Sequence, residues 1–198
     1  LGPDVVAAHC VALTGKDIVL MAERGVKAVH NPVSNMKLAS GISPVRGLLE
    51  AGVVVALGTD GPSSNNTADM FETMKFASLL QKVATRDPTA LPAHKVVEMA
   101  TVGGALALSW EDEIGSIEPG KKADIVILDL NKPHLTPVYS EESHLVYAAR
   151  SSDVRTVLVD GRLVVEDREL KTMELEKIME MALKVKEDLL SRLEAGKS

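Results

Sequence analysis

An uninterrupted apolar run, Val53 to Leu57, constrains the fold more than any other stretch of the chain. Five consecutive apolar residues are typical of a strand buried on both faces, as in a parallel sheet covered by helices. The run stops at Gly58, and the carboxylate of Asp60 follows at once. Since α/β sheets keep their chemistry at the carboxyl ends of their strands, Asp60 is the first candidate for a catalytic or metal-binding residue. The competing interpretation is that Asp60 caps a turn or the next helix.

Two earlier segments repeat the pattern of a strand followed by a polar residue of catalytic type. The predicted elements before residue 60 are a buried strand over 5–9, a helix over 14–23, a strand over 26–29, a polar loop over 33–43 and a helix over 44–50. The first strand ends on His9, and His30 follows the second. Glycines close both helices, as is common at helix C-termini. This β-α-β-α-β order favours a parallel sheet.

The chain changes character at Gly115, where a turn-rich segment begins. Before it we predict helices over 68–86, 93–100 and 104–109. After it we predict a strand over 125–128, a helix over 141–149, a hairpin of strands 154–159 and 163–166, and an amphipathic helix over 173–195 that Gly196 stops. The hairpin prediction rests on an Asp-Gly pair between two apolar runs, which is a strong turn signal. We therefore expect the β-rich region to pack apart from the parallel strands.

The polar residues His9, His30 and Asp60 are expected at one edge of the sheet, because parallel strands bring their carboxyl ends to the same face. A carboxylate that binds a metal or takes a proton, beside imidazoles that steer water, suits metal-assisted hydrolysis. A catalytic zinc usually has three protein ligands, so these residues do not by themselves guarantee a shared metal. The polar residues Ser63 to Asn66 are expected to line a pocket and to cap the following helix, two roles that do not exclude each other.

Composition narrows the classes of partner. The 198 residues carry a formal net charge of -6 and only 3% aromatic residues, which argues against nucleic acid or an anionic membrane as the main partner. No apolar run approaches the ~20 residues that span a bilayer, and no signal-peptide pattern opens the chain. A lone cysteine, Cys10, excludes an internal disulfide and favours a reducing cytoplasm. The first residue is Leu1, not Met, which indicates a fragment or a processed piece.

Length limits the architecture further. A complete (β/α)8 barrel takes about 250 residues, whereas this chain offers three βα units and then a separate β-rich region. The chain is therefore expected to supply only part of such a barrel.

Several motifs, in the right order over nearly the whole chain, resemble the metal-dependent amidohydrolase superfamily. They are residues 9–10, 30–38, 58–61 and 115–126. The run Ser34 to Leu38 together with Gly58 to Gly61 is specific for the methylthioadenosine/S-adenosylhomocysteine deaminase branch. The resemblance implies an α/β fold, made of the C-terminal part of a TIM-type barrel (strands six to eight) over 1–112, part of a small β-sandwich domain over 113–170, and a C-terminal amphipathic helix over 171–198.

The resemblance also implies roles for individual residues. Asp60 would bind zinc and take a proton from the attacking water, and His9 would help to hold and polarise that water. His30 and Ser64 would contact the substrate. The implied cofactor is zinc, with iron or another divalent metal as alternatives. The implied reaction converts a small-molecule adenine-type nucleoside to its inosine analogue plus ammonia, in a cytoplasmic enzyme that is a homo-oligomer at full length.

Other ligands of that family have no counterpart in this sequence. The His-x-His pair after strand one, the metal histidine after strand five and the catalytic glutamate would all lie upstream of Leu1. We therefore expect this chain to be inactive by itself. The alternatives are another amidohydrolase reaction, such as guanine or cytosine deamination or triazine dechlorination, and a non-catalytic lobe that pairs with a separate N-terminal chain.

Overall fold

Parallel strands form the first sheet, in the order in which they occur along the chain. The computed structural model describes residues 1–195, so the predicted stop at Gly196 lies outside the described residues. The strands are β1 (Val6–Ala8), β2 (Lys27–His30) and β3 (Val55–Leu57). Ala28 in β2 lies between Ala7 of β1 and Val55 of β3. The predicted parallel sheet is confirmed.

The two edges of this sheet differ in burial. All three residues of β3 are buried, although successive side chains point to opposite faces, so the strand is covered on both sides as predicted. Val6 and Ala8 of β1 are exposed instead. The prediction of a buried first strand is therefore wrong, because within residues 1–195 β1 pairs only with β2 and one of its faces is uncovered.

Helices cover the buried face of the sheet. They are α1 (Gly15–Arg24), α2 (Pro32–Lys37), α3 (Val45–Glu50), α4 (Pro62–Asn65), α5 (Met70–Thr85), α6 (Ala93–Ala100) and α7 (Val102–Leu108). Leu48 of α3, Ala77 of α5 and Val96 of α6 belong to the same buried cluster as Ala28 and Val55. Burial of this apolar surface is the main source of stability for such a layer.

Local sequence signals explain where α1 begins and ends. The Thr14 side chain accepts a hydrogen bond from the backbone N–H of Asp17, and the Asp17 carboxylate accepts one from Thr14, which is a capping box. Gly25 ends the helix in the left-handed conformation, with φ 66°. The glycine-closed helix predicted here is confirmed.

The short helices α2 and α4 were not expected from the sequence. The first lies in the segment that was predicted to be a polar loop over 33–43, and the second in the polar stretch after Asp60. Each begins with a proline, Pro32 or Pro62, whose fixed φ suits the first turn of a helix. Neither is long enough to show an apolar repeat, so periodicity could not reveal them.

The second sheet is antiparallel, and within residues 1–195 none of its strands pairs with the first sheet. Its strands are β4 (Ile125–Leu128), β5 (Val154–Val159), β6 (Arg162–Glu166) and β7 (Glu169–Leu170). Asp160 and Gly161 both have positive φ in the β5–β6 turn, as the Asp-Gly signal predicted. The short strand β7 was not predicted.

The α-helices described after residue 135 are α8 (Glu141–Tyr147) and α9 (Leu175–Ala195), with a 3-10 turn at Ser151–Asp153 between them. Helix α8 joins the second region to the first, since the Tyr147 hydroxyl lies 2.6 Å from that of Ser78 in α5. Helix α9 has the predicted amphipathic pattern, but none of its residues is buried in the described structure. No helix within residues 1–195 combines the length and apolarity that a membrane crossing requires.

Candidate active site

The carboxyl ends of the parallel strands carry the predicted polar residues. His9 directly follows β1, His30 is the last residue of β2, and Asp60 lies in the loop between β3 and α4. Because the strands are parallel, these ends lie at one edge of the sheet, as predicted.

Asp60 and His9 approach each other at this edge. The His9 Nε2 atom lies 3.9 Å from Asp60 Oδ2, which is too long for a direct hydrogen bond. Both side chains are partly open to solvent, at 39% for His9 and 29% for Asp60. The pair therefore presents an imidazole nitrogen and a carboxylate oxygen to the same accessible space.

Hydrogen bonds from neighbouring groups hold the Asp60 carboxylate. The Ser34 hydroxyl donates to Oδ2 at 2.6 Å, and the backbone N–H of Gly61 donates to Oδ1 at 2.7 Å. These hydrogen bonds, with smaller contributions from the Ser64 hydroxyl and from His9, lower the pKa of Asp60 below its ordinary value. Asp60 is therefore ionised at neutral pH, as a metal ligand or a proton acceptor must be.

Helix α2 also holds His9. The Nδ1 atom of His9 lies 2.8 Å from the Oδ1 atom of Asn35, which follows Ser34 in the chain. The backbone N–H of His9 donates to the carbonyl of Val29 at 2.9 Å and ties the residue to the end of β2. Adjacent residues of one short helix thus contact both His9 and Asp60.

The backbone is strained at both residues. His9 has φ 66°, Cys10 has φ 52° and Asp60 has φ 62°, all in the left-handed region that side-chain-bearing residues rarely adopt. Such conformations cost on the order of 1–3 kcal/mol each and cluster at functional sites. Eight other non-glycine residues among 1–195 share this conformation, so the strain accompanies the site but does not by itself identify it.

Ser64 lies in α4, immediately after the loop that carries Asp60. The neighbouring side chain of Asn65 is buried and donates to the carbonyl of Thr59 at 2.8 Å, which fixes the start of α4 against that loop. The Ser64 hydroxyl contributes to the lowered pKa of Asp60. Ser64 is therefore close enough to act on the same molecule as Asp60.

His30 is in a different environment from His9. Its side chain is 1% exposed, and within residues 1–195 neither ring nitrogen has a hydrogen-bond partner. Burial lowers the pKa of His30 to about 4, so the ring is neutral at physiological pH. Substrate contact by His30 stays a prediction, and its burial in this chain favours a packing role.

A complete metal centre is not found among the described residues. Residues 1–195 hold no group of three or more His, Cys, Asp or Glu side chains arranged to bind a metal ion. Asp60 offers a carboxylate oxygen and His9 a nearby ring nitrogen, whereas a catalytic zinc takes three protein ligands. The side chains present fit part of a zinc site and not the whole.

The sequence did not predict the contacts that residues of α2 make with the candidate site. These residues are Ser34, Asn35 and Lys37. The Lys37 ammonium donates to the carbonyl of Ser63 at 3.0 Å and to the side chain of Asn66. Lys37 thus connects α2 to α4. The signal was available, since these polar residues fall in the motif that directly follows His30 and is specific for one branch of enzymes. Their roles were hidden because the segment was expected to be a loop.

Relatives of known name match nearly the whole chain. A 5-methylthioadenosine/S-adenosylhomocysteine deaminase from Syntrophobacter fumaroxidans is 59% identical over 180 residues, covering 91% of this chain and 41% of that protein. A 5′-deoxyadenosine deaminase from Methanosarcina mazei is 53% identical over 192 residues, covering 97% of this chain and 44% of that protein. The chain thus spans less than half the length of these relatives and matches their C-terminal half.

A solved structure has the same fold as this chain. The crystal structure of an adenosine deaminase from Xanthomonas campestris with bound zinc matches with a TM-score of 0.94 and 41% identity. The match covers 96% of this chain and 43% of that one. The model of the amidohydrolase family matches residues 1–164, which include the whole parallel sheet, the edge that carries His9 and Asp60, and the strands β4 and β5 of the second sheet. The chain therefore belongs to the amidohydrolase family.

Proposed function

We propose that this chain is the C-terminal part of a metal-dependent deaminase of adenine-type nucleosides. The observation that carries the proposal is 53–59% identity, over more than nine-tenths of the chain, to relatives named as deaminases of such nucleosides. The paired His9 and Asp60 at the strand edge would supply part of the chemistry that the reaction needs. The proposed substrates are 5-methylthioadenosine and S-adenosylhomocysteine, with 5′-deoxyadenosine as a further candidate.

The proposed division of the chain follows from the two sheets. Residues 1–112 would supply strands six to eight of a TIM-type barrel, which is supported by the parallel order of β1, β2 and β3. Residues 113–170 would be part of a small β-sandwich domain, which is supported by the separate antiparallel sheet. Residues 171–198 would be a C-terminal helix, of which 196–198 lie outside the described residues.

The reaction would replace the exocyclic amino group of the base with oxygen. A bond forms between the oxygen of water and the ring carbon, the carbon–nitrogen bond breaks, and the nitrogen leaves as ammonia. The ionised carboxylate of Asp60 would accept a proton from the water and pass it on, so that one water proton completes the ammonia and the other ends on the ring nitrogen of the product. The Nε2 atom of His9 would hold the same water by a hydrogen bond. Ser64 would contact the base.

A divalent metal is supported by the zinc in the Xanthomonas campestris structure. When bound, such a metal makes its water acidic enough to ionise near neutral pH. Asp60 would be one ligand, and the others would come from outside the described residues. The finer proposals, zinc over iron and a homo-oligomeric cytoplasmic enzyme, rest on the resemblance and on the single cysteine.

The test is ammonia release from a panel of substrates. This chain would be joined to the N-terminal part of the Syntrophobacter fumaroxidans relative and supplied with zinc. We expect turnover of adenine-type nucleosides and none of guanine, cytosine or a chlorotriazine. Preference for any member of the second group would replace the proposal with another amidohydrolase reaction.

The incomplete metal centre favours a second candidate function for the chain itself. A lobe with one carboxylate ligand would act only together with a separate N-terminal chain. Co-purification of a separately encoded N-terminal chain would support this candidate, whereas a single continuous gene would exclude it.

A further inference from the structure

The chemical role of His9 depends on which of its ring nitrogens carries the proton. In a neutral imidazole one nitrogen donates and the other accepts, and the partner of one nitrogen sets the state of the other. His9 Nδ1 lies 2.8 Å from Asn35 Oδ1. Because an amide oxygen only accepts hydrogen bonds, Nδ1 carries the proton in this arrangement. The Nε2 atom then keeps a free lone pair.

Asn35 is fully buried, and hydrogen bonds hold its backbone in place. It is 0% exposed, its backbone N–H donates to the carbonyl of Asn31, and its own carbonyl accepts from the backbone of Ser40 at 2.9 Å. Within residues 1–195 its Nδ2 atom has no hydrogen-bond partner. Rotating the amide by half a turn would bring Nδ2 against His9 Nδ1 and reverse the tautomer.

The two orientations of the Asn35 amide differ in what they leave at Nε2. In the reversed tautomer, Nε2–H would face Asp60 Oδ2 at 3.9 Å, beyond the reach of a hydrogen bond. In the observed orientation, Nε2 and Oδ2 are two acceptors that face one space. A water molecule has two hydrogens and can donate to both. Ser34 fixes the position of the same Oδ2 atom, so adjacent residues of α2 set both acceptors.

We propose that Asn35 is a positioning residue that holds His9 with its proton on Nδ1, so that His9 Nε2 and Asp60 Oδ2 together orient one water molecule. The catalytic consequence of this arrangement rests on the proposed deaminase function. The tautomer itself is a property of the chain and is measurable without substrate, metal or turnover.

The experiment is nitrogen-15 NMR of the 198-residue chain with labelled histidines. Spectra are recorded roughly two pH units above the ordinary histidine pKa of about 6.5, where rings are neutral. The chain has five histidines, and His9→Gln assigns the signals of His9. We expect a protonated Nδ1 and an unprotonated Nε2 in the wild type. Asn35→Ala should lose this signature and give a mixture of tautomers.

Two further variants separate a positioning role from a purely structural one. The carboxylate of Asn35→Asp, when ionised, has only accepting oxygens, so the ionised variant should retain the proton on His9 Nδ1. The control is Asn131→Ala, the same substitution at an exposed asparagine, which should leave the His9 signals unchanged.

Each outcome decides the proposal. A proton on Nε2 in the wild type overturns it, and so does an Asn35→Ala spectrum that matches the wild type. If Asn35→Ala does not fold, the wild type and Asn35→Asp still give the answer, since a difference between their His9 tautomers contradicts the proposal. Failure of the joined protein to release ammonia from adenine-type nucleosides would leave the tautomer result intact, so the two proposals fail separately.

Discussion

At the scale of single residues, the candidate site consists of two reactive side chains and the polar groups that hold them. Asp60 receives hydrogen bonds at both carboxylate oxygens, and His9 is held at Nδ1. Both residues are also in the left-handed backbone region. Such fixed geometry is what an electrostatic or proton-transfer role requires, because a loosely held group must be ordered during the reaction.

Asp60→Asn should abolish deamination in the protein that carries a complete site. The amide has nearly the same shape, but it cannot accept the proton of the attacking water and is a poor metal ligand. We expect kcat/KM for ammonia release to fall by at least about 100-fold. Asp112→Asn, the same change at an exposed position, is the control. Turnover by Asp60→Asn near the wild-type level would remove Asp60 from the mechanism.

His30 should make the fold sensitive to acid. Burial holds its pKa at about 4 in the folded state, against 6.5 for the ordinary value, so between these values the unfolded chain binds the extra proton. The contribution of neutral His30 to the free energy of unfolding is fully present above about pH 6.5. It is lost as the pH falls and reaches its minimum below about pH 4, a loss on the order of 3 kcal/mol.

The measurement is the free energy of unfolding by denaturant from pH 7 to pH 4. His30→Leu should flatten this dependence, since the titrating group is gone. His94→Leu, at an exposed histidine, should keep the wild-type slope. Equal slopes in the wild type and His30→Leu would show that His30 is not buried in neutral form.

At the scale of elements, the packing of α7 against β3 depends on a glycine. A Cβ on Gly103 would lie 3.0 Å from the carbonyl oxygen of Val55 and 3.2 Å from that of Glu98. Both are backbone atoms, which cannot rotate away. Gly104, the next residue of the helix, has open space at the same position. A side chain added at Gly103 would therefore clash with the backbone, whereas one added at Gly104 would meet no neighbouring atom.

Gly103→Ala should therefore destabilise the fold by about 1–3 kcal/mol, because α7 must move away from β3. Gly104→Ala should be neutral or stabilising by up to about 1 kcal/mol, since alanine is the better helix former. Chemical denaturation of the two variants provides the comparison. Equal effects would mean that the close approach of α7 to the strand is not a constraint.

At the scale of the whole molecule, the described residues contain the candidate active-site edge but no full metal centre. The sheet also has exposed residues on the edge strand β1, where an additional strand could pair. Both features are consistent with a chain that spans less than half of its relatives.

The isolated chain should bind zinc weakly and release no ammonia from S-adenosylhomocysteine or methylthioadenosine. One carboxylate ligand and a nearby imidazole lack the ligand number that makes zinc binding tight. Joining the chain to the N-terminal part of a relative should restore zinc content and turnover together. Zinc content by metal analysis and ammonia release by a coupled assay test this. Steady turnover by the isolated chain, lost in Asp60→Asn, would contradict the assignment of the metal site.

The sequence by itself determined the features that depend on neighbours along the chain. The apolar run that ends at Leu57 specified a strand covered on both faces, and Thr14 and Gly25 specified the limits of α1. The strand-end positions of His9 and Asp60 followed from the same patterns, because a parallel sheet brings its carboxyl ends together. The motifs around Asp60 also identified the family that the comparisons confirm.

Only the tertiary structure decided which side chains meet. Ser34 and Asp60 are 26 residues apart, as are His9 and Asn35, and no local pattern encodes the approach of such distant groups. The burial of His30 was also hidden, since a strand-end histidine faces solvent or core according to what packs on its side of the sheet. Local propensity acts over a few residues, whereas the contacts of an active site depend on how separate elements pack, and that packing is a property of the whole fold.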